Sequence, residues 1–411
     1  MRHKTATSNE QSSNETIVYA NPRKEEMSTA EEEVGTTHAG LTIPERTIVN
    51  LGSAAGKYCE VSLSEVQELL TKINEKQNPL DFKRPLKDLH IDFLKGQMSG
   101  YFTNPDGRDA ETYLVSETGA QQLAKEVLPG KFFTGLKHLL HISPKGETVA
   151  AEAWNEFATK KTDVRLIRTV NMKLNGQTQK VIRSCHSKSY GVYSNLEFVT
   201  DLVQHAGDLA LLPVANVRIT DGTMRIRFVQ LDATDRLALL SGDDPAMYRP
   251  MHMIEAWNSE VGLKKVGLRA GLMRVACMNS VCHWSEKTEF NWIHRGSSDR
   301  IKIAVGSAFG GLVASADEVV TAYLQAKEID IADPEAWLRT KLEKAEVADR
   351  IIIKCQKALT DPTTTPDRKL ASVIDAITLA AQSEEILVQD DLERTAAKLM
   401  YAGLTDTTEG A

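Results

Sequence analysis

The stretch from Pro213 to Leu231 constrains this chain more than any other. Two runs of alternating side chains, Pro213–Thr220 and Thr223–Leu231, flank Asp221-Gly222, a dipeptide that closes antiparallel hairpins through a two-residue turn. Such a loop sets Ile219 opposite Met224, Arg218 opposite Arg225, Val217 opposite Ile226 and Asn216 opposite Arg227. Alternation then sorts the side chains. Val217, Ile219, Met224, Ile226 and Phe228 form one face, which belongs on a core; Asn216, Arg218, Arg225 and Arg227 form the other. Like charges directly opposed cost roughly 0.2–1 kcal/mol per pair. The arginines therefore either borrow carboxylates from elsewhere in the chain or await an anionic ligand.

A second hairpin is predicted from Val164–Met172 and Gln179–Cys185 around Asn175-Gly176, with Arg168 opposite Arg183. Ser194 and Glu197 form a capping box for a helix between the hairpins, carrying Leu196, Val199 and Val203 on one face. Met251–Trp257, Leu263–Arg269 and Leu272–Met278 read as further strands. Before them, residues 41–160 read as mostly helical. Ser62 and Glu65 cap a stripe of Val66, Leu69, Leu70 and Ile73, and helices are predicted over Glu117–Val127 and Glu147–Phe157. After about residue 312 the pattern is helical. Asp333 and Pro334 start a helix along Leu338, Leu342, Ala345, Ile352 and Leu359, and two more follow on Leu370–Ile377 and Leu392–Met400.

The expected architecture is α+β, an antiparallel sheet core built from hairpins with a crossing helix, a helical N-terminal segment and a helical C-terminal bundle. Residues 1–40 form a polar, acidic tail too poor in apolar side chains to order itself. Residues 41–160 are the mostly helical region, 161–311 the β-rich core, 312–404 the helical C-terminal region and 405–411 a second tail.

Charge divides along the same lines. The 411 residues hold 49 Lys+Arg and 56 Asp+Glu, a formal net charge of −7. Residues 160–302 alone carry a net +7, leaving −14 on the rest. Between Val164 and Leu196 six basic residues occur with no acidic one. One reading is a sheet face that tracks a phosphate backbone through Arg168, Lys180, Arg183, Lys188, Arg218, Arg225 and Arg227, with Tyr190 near enough to stack on a base. The other is a face neutralised by the acidic helices and tails.

No catalytic or cofactor signature competes with these readings. Gly52-Ser-Ala-Ala-Gly-Lys57 is one residue short of a phosphate loop, and Tyr58 stands where a metal-binding hydroxyl is required. Cys277-x4-Cys282-His283 has no common zinc spacing, and core packing explains the cysteines better. Five scattered cysteines fit a reducing compartment, and no apolar run reaches the ~20 residues that span a bilayer. With no apolar leader at the N-terminus, these features make the cytoplasm the expected location. No cofactor is expected, and nothing in the sequence requires an enzyme.

One segment is more specific. Asn258-Ser259-Glu260-Val261-Gly262, then Leu272-Met273-Arg274 and Cys277-Met278-Asn279, resembles a family of phage and plasmid proteins of unknown function, whose members carry N-S-E-V-G, L-x-R and C-x-N in that order. Arg168-Thr169, Arg183-Ser184 and Ser187–Tyr190 resemble its upstream signature. The resemblance spans about residues 160–310, with Ser280 departing from the family's glycine. It implies a mobile-element product in a bacterial cytoplasm and supplies no activity. The residues themselves leave two options open. Asn258, Ser259 and Glu260 either satisfy a turn or form a polar site with Arg274 and Asn279, for which Glu260 is the obvious ion partner. Together these features lead to an expected non-catalytic binding protein for single-stranded DNA, acting as a homo-oligomer. The alternative is a protein-interaction or assembly component that does not touch nucleic acid.

Overall fold

The computed structural model describes residues 47–51, 61–94, 97–103, 111–130, 132–136, 144–174, 176–206, 214–229, 251–273, 283–314, 316–360, 368–384 and 386–408. In chain order, β1 (Thr47–Leu51) and α1 (Leu63–Gln77) precede four short strands, β2 (Leu80–Pro85), β3 (Leu89–Leu94), β4 (Gln97–Phe102) and β5 (Thr112–Val115). Helices α2 (Glu117–Val127) and α3 (Pro144–Ala158) lead to the first hairpin, β6 (Val164–Leu174) and β7 (Gln177–Ser187). Then come α4 (Asn195–Ala206) and the second hairpin, β8 (Val214–Thr220) and β9 (Met224–Val229), with β10 (Met251–Asn258), β11 (Val266–Met273) and β12 (His283–Trp292) after it. The chain continues through α5 (Ser298–Ala314), α6 (Ala316–Ala326), α7 (Pro334–Lys344), α8 (Asp349–Leu359), α9 (Leu370–Ala381) and α10 (Ile386–Thr408).

The fold is α+β, and the described strands form two six-stranded sheets. Sheet I runs β1-β8-β9-β10-β11-β12 and is antiparallel throughout. Sheet II runs β2-β6-β7-β5-β4-β3, with one parallel pair, β5 against β7. The two hairpins therefore belong to different sheets. The first is completed by strands from residues 80–115, a region whose sequence reads as mostly helical. The period-two signal is nonetheless there in Leu89-His-Ile-Asp-Phe-Leu94, where Leu89, Ile91 and Phe93 are buried and the residues between them are not.

The second hairpin has the register its turn dictates: Ile219 pairs with Met224, Arg218 with Arg225, Val217 with Ile226 and Asn216 with Arg227. The Thr220 hydroxyl holds the two-residue loop by accepting from the Gly222 and Thr223 N–H groups. The first hairpin differs from expectation. It has the two-residue loop, with Gly176 at φ +77°, but a bulge follows Arg168. Arg168 pairs with Ser184 rather than Arg183, and Thr169 with Ile182. Arg183 is the extra residue, which re-aims its side chain.

Both capping boxes form. Ser62 and Glu65 bond reciprocally at the start of α1, and Ser194 and Glu197 at the start of α4. Asp333 caps α7, with Pro334 in the first turn. The single long helix expected from Leu338 to Leu359 is instead two, α7 and α8, broken where Glu346 takes φ +58°. The strand expected over Leu272–Met278 is β11 as far as Met273; residues 274–282 lie outside the described set.

Among the described residues three large apolar clusters hold these layers, with a small fourth of Val170, Met172 and Val181 on β6 and β7. The core face of sheet I, including Val217, Ile219, Met224, Ile226 and Leu268, packs on α1, α4 and α5. Sheet II packs Ile91, Met98, Val115, Ile167 and Ile182 against α2 and α3 around Trp154. Helices α6–α10 close on themselves around the wholly buried Tyr323, Leu342, Ile374 and Ile377. The other face of sheet I is polar, and it is this face that α10 meets.

Candidate functional site

The arginine face of the second hairpin is an interior surface. Strand pairing sets Glu255 of β10 between Arg227 of β9 and Arg269 of β11. Arg227 Nε donates to Glu255 Oε2 at 2.5 Å and Arg269 Nη2 to Oε1 at 2.6 Å. Helix α10 closes over them with Gln389, Asp390 and Glu393, whose i, i+1 and i+4 spacing gathers them on one stripe. Arg225 donates to Gln389 Oε1 at 2.6 Å, Arg269 to Asp390 Oδ1 at 2.7 Å, and Arg227 to Glu393. Lys264 Nζ reaches the other oxygen of Asp390 at 2.7 Å, and Arg394 bridges Asp390 and Glu289. Arg225, Arg227, Glu255, Arg269, Asp390 and Glu393 are all buried.

The electrostatics follow from that packing. Burial alone would push the Glu255 carboxyl up, but the guanidiniums of Arg269, Arg227 and Arg225 hold it down at about 2. Asp390 is likewise raised by burial and brought well below the usual carboxylate range by Arg269, Lys264 and Arg394. Trp257 lies among the cations, with Lys264 and Arg269 5.2 Å and Arg394 5.7 Å from its ring centre. Its ring fits because its cross-strand partner is Gly267; a Cβ there would stand 2.1 Å from Trp257 Cζ2. Trp257 is itself buried and has nowhere to move. Gly267→Ala is therefore expected to lower stability by about 1–3 kcal/mol, the usual range for overpacking, measured by urea denaturation.

This corrects the expectation of a solvent-facing basic sheet. Of the arginines assigned to it, Arg227 is spent on Glu255 and Glu393, Arg225 donates to Gln389 with Glu255 3.9 Å away, and Arg218 is half-buried. Asp390 and Glu393 complete the arrangement, and no local sequence signal marks them: Asp390 and Asp391 both lie on α10, Asp390 inward and Asp391 exposed.

The Asn258-Ser259-Glu260 motif forms a second buried node, where β10 leaves sheet I and touches sheet II. Asn258 Nδ2 donates to the Tyr193 carbonyl and to Asn195 Oδ1, both at 3.0 Å. Ser259 Oγ donates to the Gly222 carbonyl at 2.7 Å and accepts from Leu263 N–H, and Gly262 closes the turn at φ +72°. Glu260 Oε1 accepts from Asn195 N–H at 2.6 Å, in the first turn of α4, and Oε2 from Arg183 Nη1 at 2.8 Å. Arg168 binds Asp81 and the Glu260 carbonyl. Burial raises the Glu260 carboxyl, but Arg183 and Arg168 bring it below its ordinary value. The ion partner of Glu260 is thus Arg183, re-aimed by the bulge. Arg274 and Asn279 lie outside the described residues.

The remaining predicted residues do not converge with these. Tyr190 is sandwiched between two imidazoles, 3.8 Å from His186 and 5.1 Å from His294 between ring centres, so neither of its faces is open to a base. Burial pushes the His186 imidazole down to about 3, with Arg168 and His294 adding to the effect, so it is neutral at physiological pH. Lys180 pairs with Glu111 at the surface, and Lys188 is exposed. Among the described residues no group of three or more His, Cys, Asp or Glu is placed to hold a metal ion, and no helix is long and apolar enough to cross a membrane.

No family model, curated protein or solved structure matches the chain. The likeness to phage and plasmid proteins therefore rests on the residues quoted above.

Proposed function

We propose that the chain is a phage- or plasmid-type, non-catalytic component that works by binding other protein chains, in the cytoplasm of a bacterial host and as a homo-oligomer. One observation carries the choice of protein over single-stranded DNA: the buried arginines of sheet I already hold Glu255, Asp390 and Glu393. A phosphate strand laid on that face would have to displace α10 and strip these carboxylates from their partners. The buried Glu260 node joins the two sheets, its carboxylate already held by Arg183 and the Asn195 N–H.

The test has two arms. Fluorescence anisotropy with labelled oligothymidylate at low salt should show no binding that falls steeply with added salt, the signature of phosphate contacts. Affinity purification from nuclease-treated host lysate should retain a stoichiometric protein partner, and sedimentation velocity should show self-association. Tight, salt-dependent oligonucleotide binding with no retained protein would reverse the reading.

A further inference from the structure

One end of sheet I carries side chains that stand open to solvent. Trp292 pairs with Val266 where β12 ends and β11 begins, so the turn 259–265 and the segment 293–295 leave the sheet side by side. The His186–Tyr190–His294 stack lies against both. Tyr190 forms an isolated bridge with Arg295, and Gly262 abuts His186 and Tyr190. Around the stack, Leu263 is 40% and Ile293 56% exposed. Exposed as well are Lys188, two residues before Tyr190, Lys265 at the end of the turn, and Arg295, the bridge partner of Tyr190; none has an ion pair with a described residue. Of the described carboxylates close by in sequence, Glu260 is buried on Arg183, Glu289 is held by Arg394, and Asp299 accepts from Ser297.

Exposed apolar side chains in charged surroundings are a feature of protein interfaces, and here the exposed charges on the neighbouring segments are cationic. We infer that this surface docks an acidic protein segment, its apolar side chains covering Leu263 and Ile293 and its carboxylates reaching Lys188, Lys265 and Arg295. The inference rests on the proposed function and names the chemistry of the partner. Nucleic acid fits the surface less well. Stacking on bases needs open ring faces, whereas Tyr190 is covered on both sides and the exposed apolar side chains of the two segments, Leu263 and Ile293, are aliphatic.

The test uses the full chain and a fluorescein-labelled peptide of alternating glutamate and leucine, with polyglutamate and oligothymidylate as comparison probes. The alternating peptide should bind, and the double variant Lys188→Glu/Lys265→Glu should weaken it about tenfold or more, since two cationic contacts turn repulsive. Ile293→Ser should weaken the alternating peptide while leaving polyglutamate unchanged. These residues are exposed, so circular dichroism should be the same for all variants. No peptide binding, or binding indifferent to every substitution, overturns the inference, as does oligothymidylate binding abolished by the same double variant. Copurification distinguishes failure of this surface from failure of the proposed function. A protein partner retained equally by wild type and double variant leaves the proposed function standing and removes this surface. No retained partner removes both.

Discussion

Glu255→Gln is expected to cost about 3–5 kcal/mol of folding free energy, the range seen when one member of a buried ion pair is removed. Glutamine keeps the shape of the side chain, so no cavity contributes. What changes is the charge between Arg227, at 2.5 Å, and Arg269, at 2.6 Å, where all three side chains are buried. Taking the carboxylate away leaves two guanidiniums facing each other across one strand, with Arg225 close behind, and adds nothing to the charge that Asp390 and Glu393 already balance. Breaking the network is costly even though the intact network need not contribute much, because desolvation offsets most of its Coulomb gain. Asp391→Asn is the matched control. It removes a carboxylate from the same helix, one residue from Asp390, but from an exposed position, and its effect should lie within about 0.5 kcal/mol. Urea denaturation of both variants gives the comparison. A loss for Glu255→Gln as small as the control's would mean that water reaches the network and that the sheet face is open after all.

The sequence carried one half of that network and hid the other. Alternation and a two-residue turn sufficed to pair Arg218 with Arg225 and Asn216 with Arg227, because both rules are local. The same rules posed the question of where the arginines find anions. The answer lay more than 160 residues away, on a helix whose Gln389, Asp390 and Glu393 look like any solvated stripe until the helix is docked. Local pattern cannot distinguish a charged face that meets water from one that meets the opposite charge. The first hairpin shows a second limit. A bulge after Arg168 moved Arg183 out of register and onto Glu260, and neither turn chemistry nor alternation announces a bulge. The partition of strands into two sheets was hidden for a related reason. β6 and β7 pair with strands from residues 80–115, and such long-range pairing leaves only the weak alternation of Leu89, Ile91 and Phe93 as its trace. The capping boxes at Ser62 and Ser194 were fully legible, since cap and partner lie three residues apart.

Glu260→Gln should show the second large loss, about 3 kcal/mol or more, with a pH signature that a purely steric defect lacks. Glutamine can still accept from Asn195 N–H, so α4 keeps its contact. It cannot balance Arg183, which stays buried with its charge. Acidification should mimic the substitution in the wild type. Glu255, Glu260 and Asp390 all have folded-state carboxyl pKa values below the ordinary one. The stability they supply is therefore complete above the unfolded carboxyl value of about 4.3 and is lost as the pH falls through their folded values, about 2 for Glu255. Protons bind the unfolded chain first, so stability declines with falling pH below about 5 and flattens only under the folded pKa values. The guanidiniums stay charged throughout and become the uncompensated species. In Glu260→Gln one of the three carboxylates no longer titrates, so the variant starts less stable at pH 7 yet loses less between pH 5 and pH 2. Chemical denaturation at stepped pH, followed by circular dichroism, gives both curves. Parallel curves would show that Glu260 titrates alike in the folded and unfolded chain, and would remove its charge from the account of what joins the two sheets.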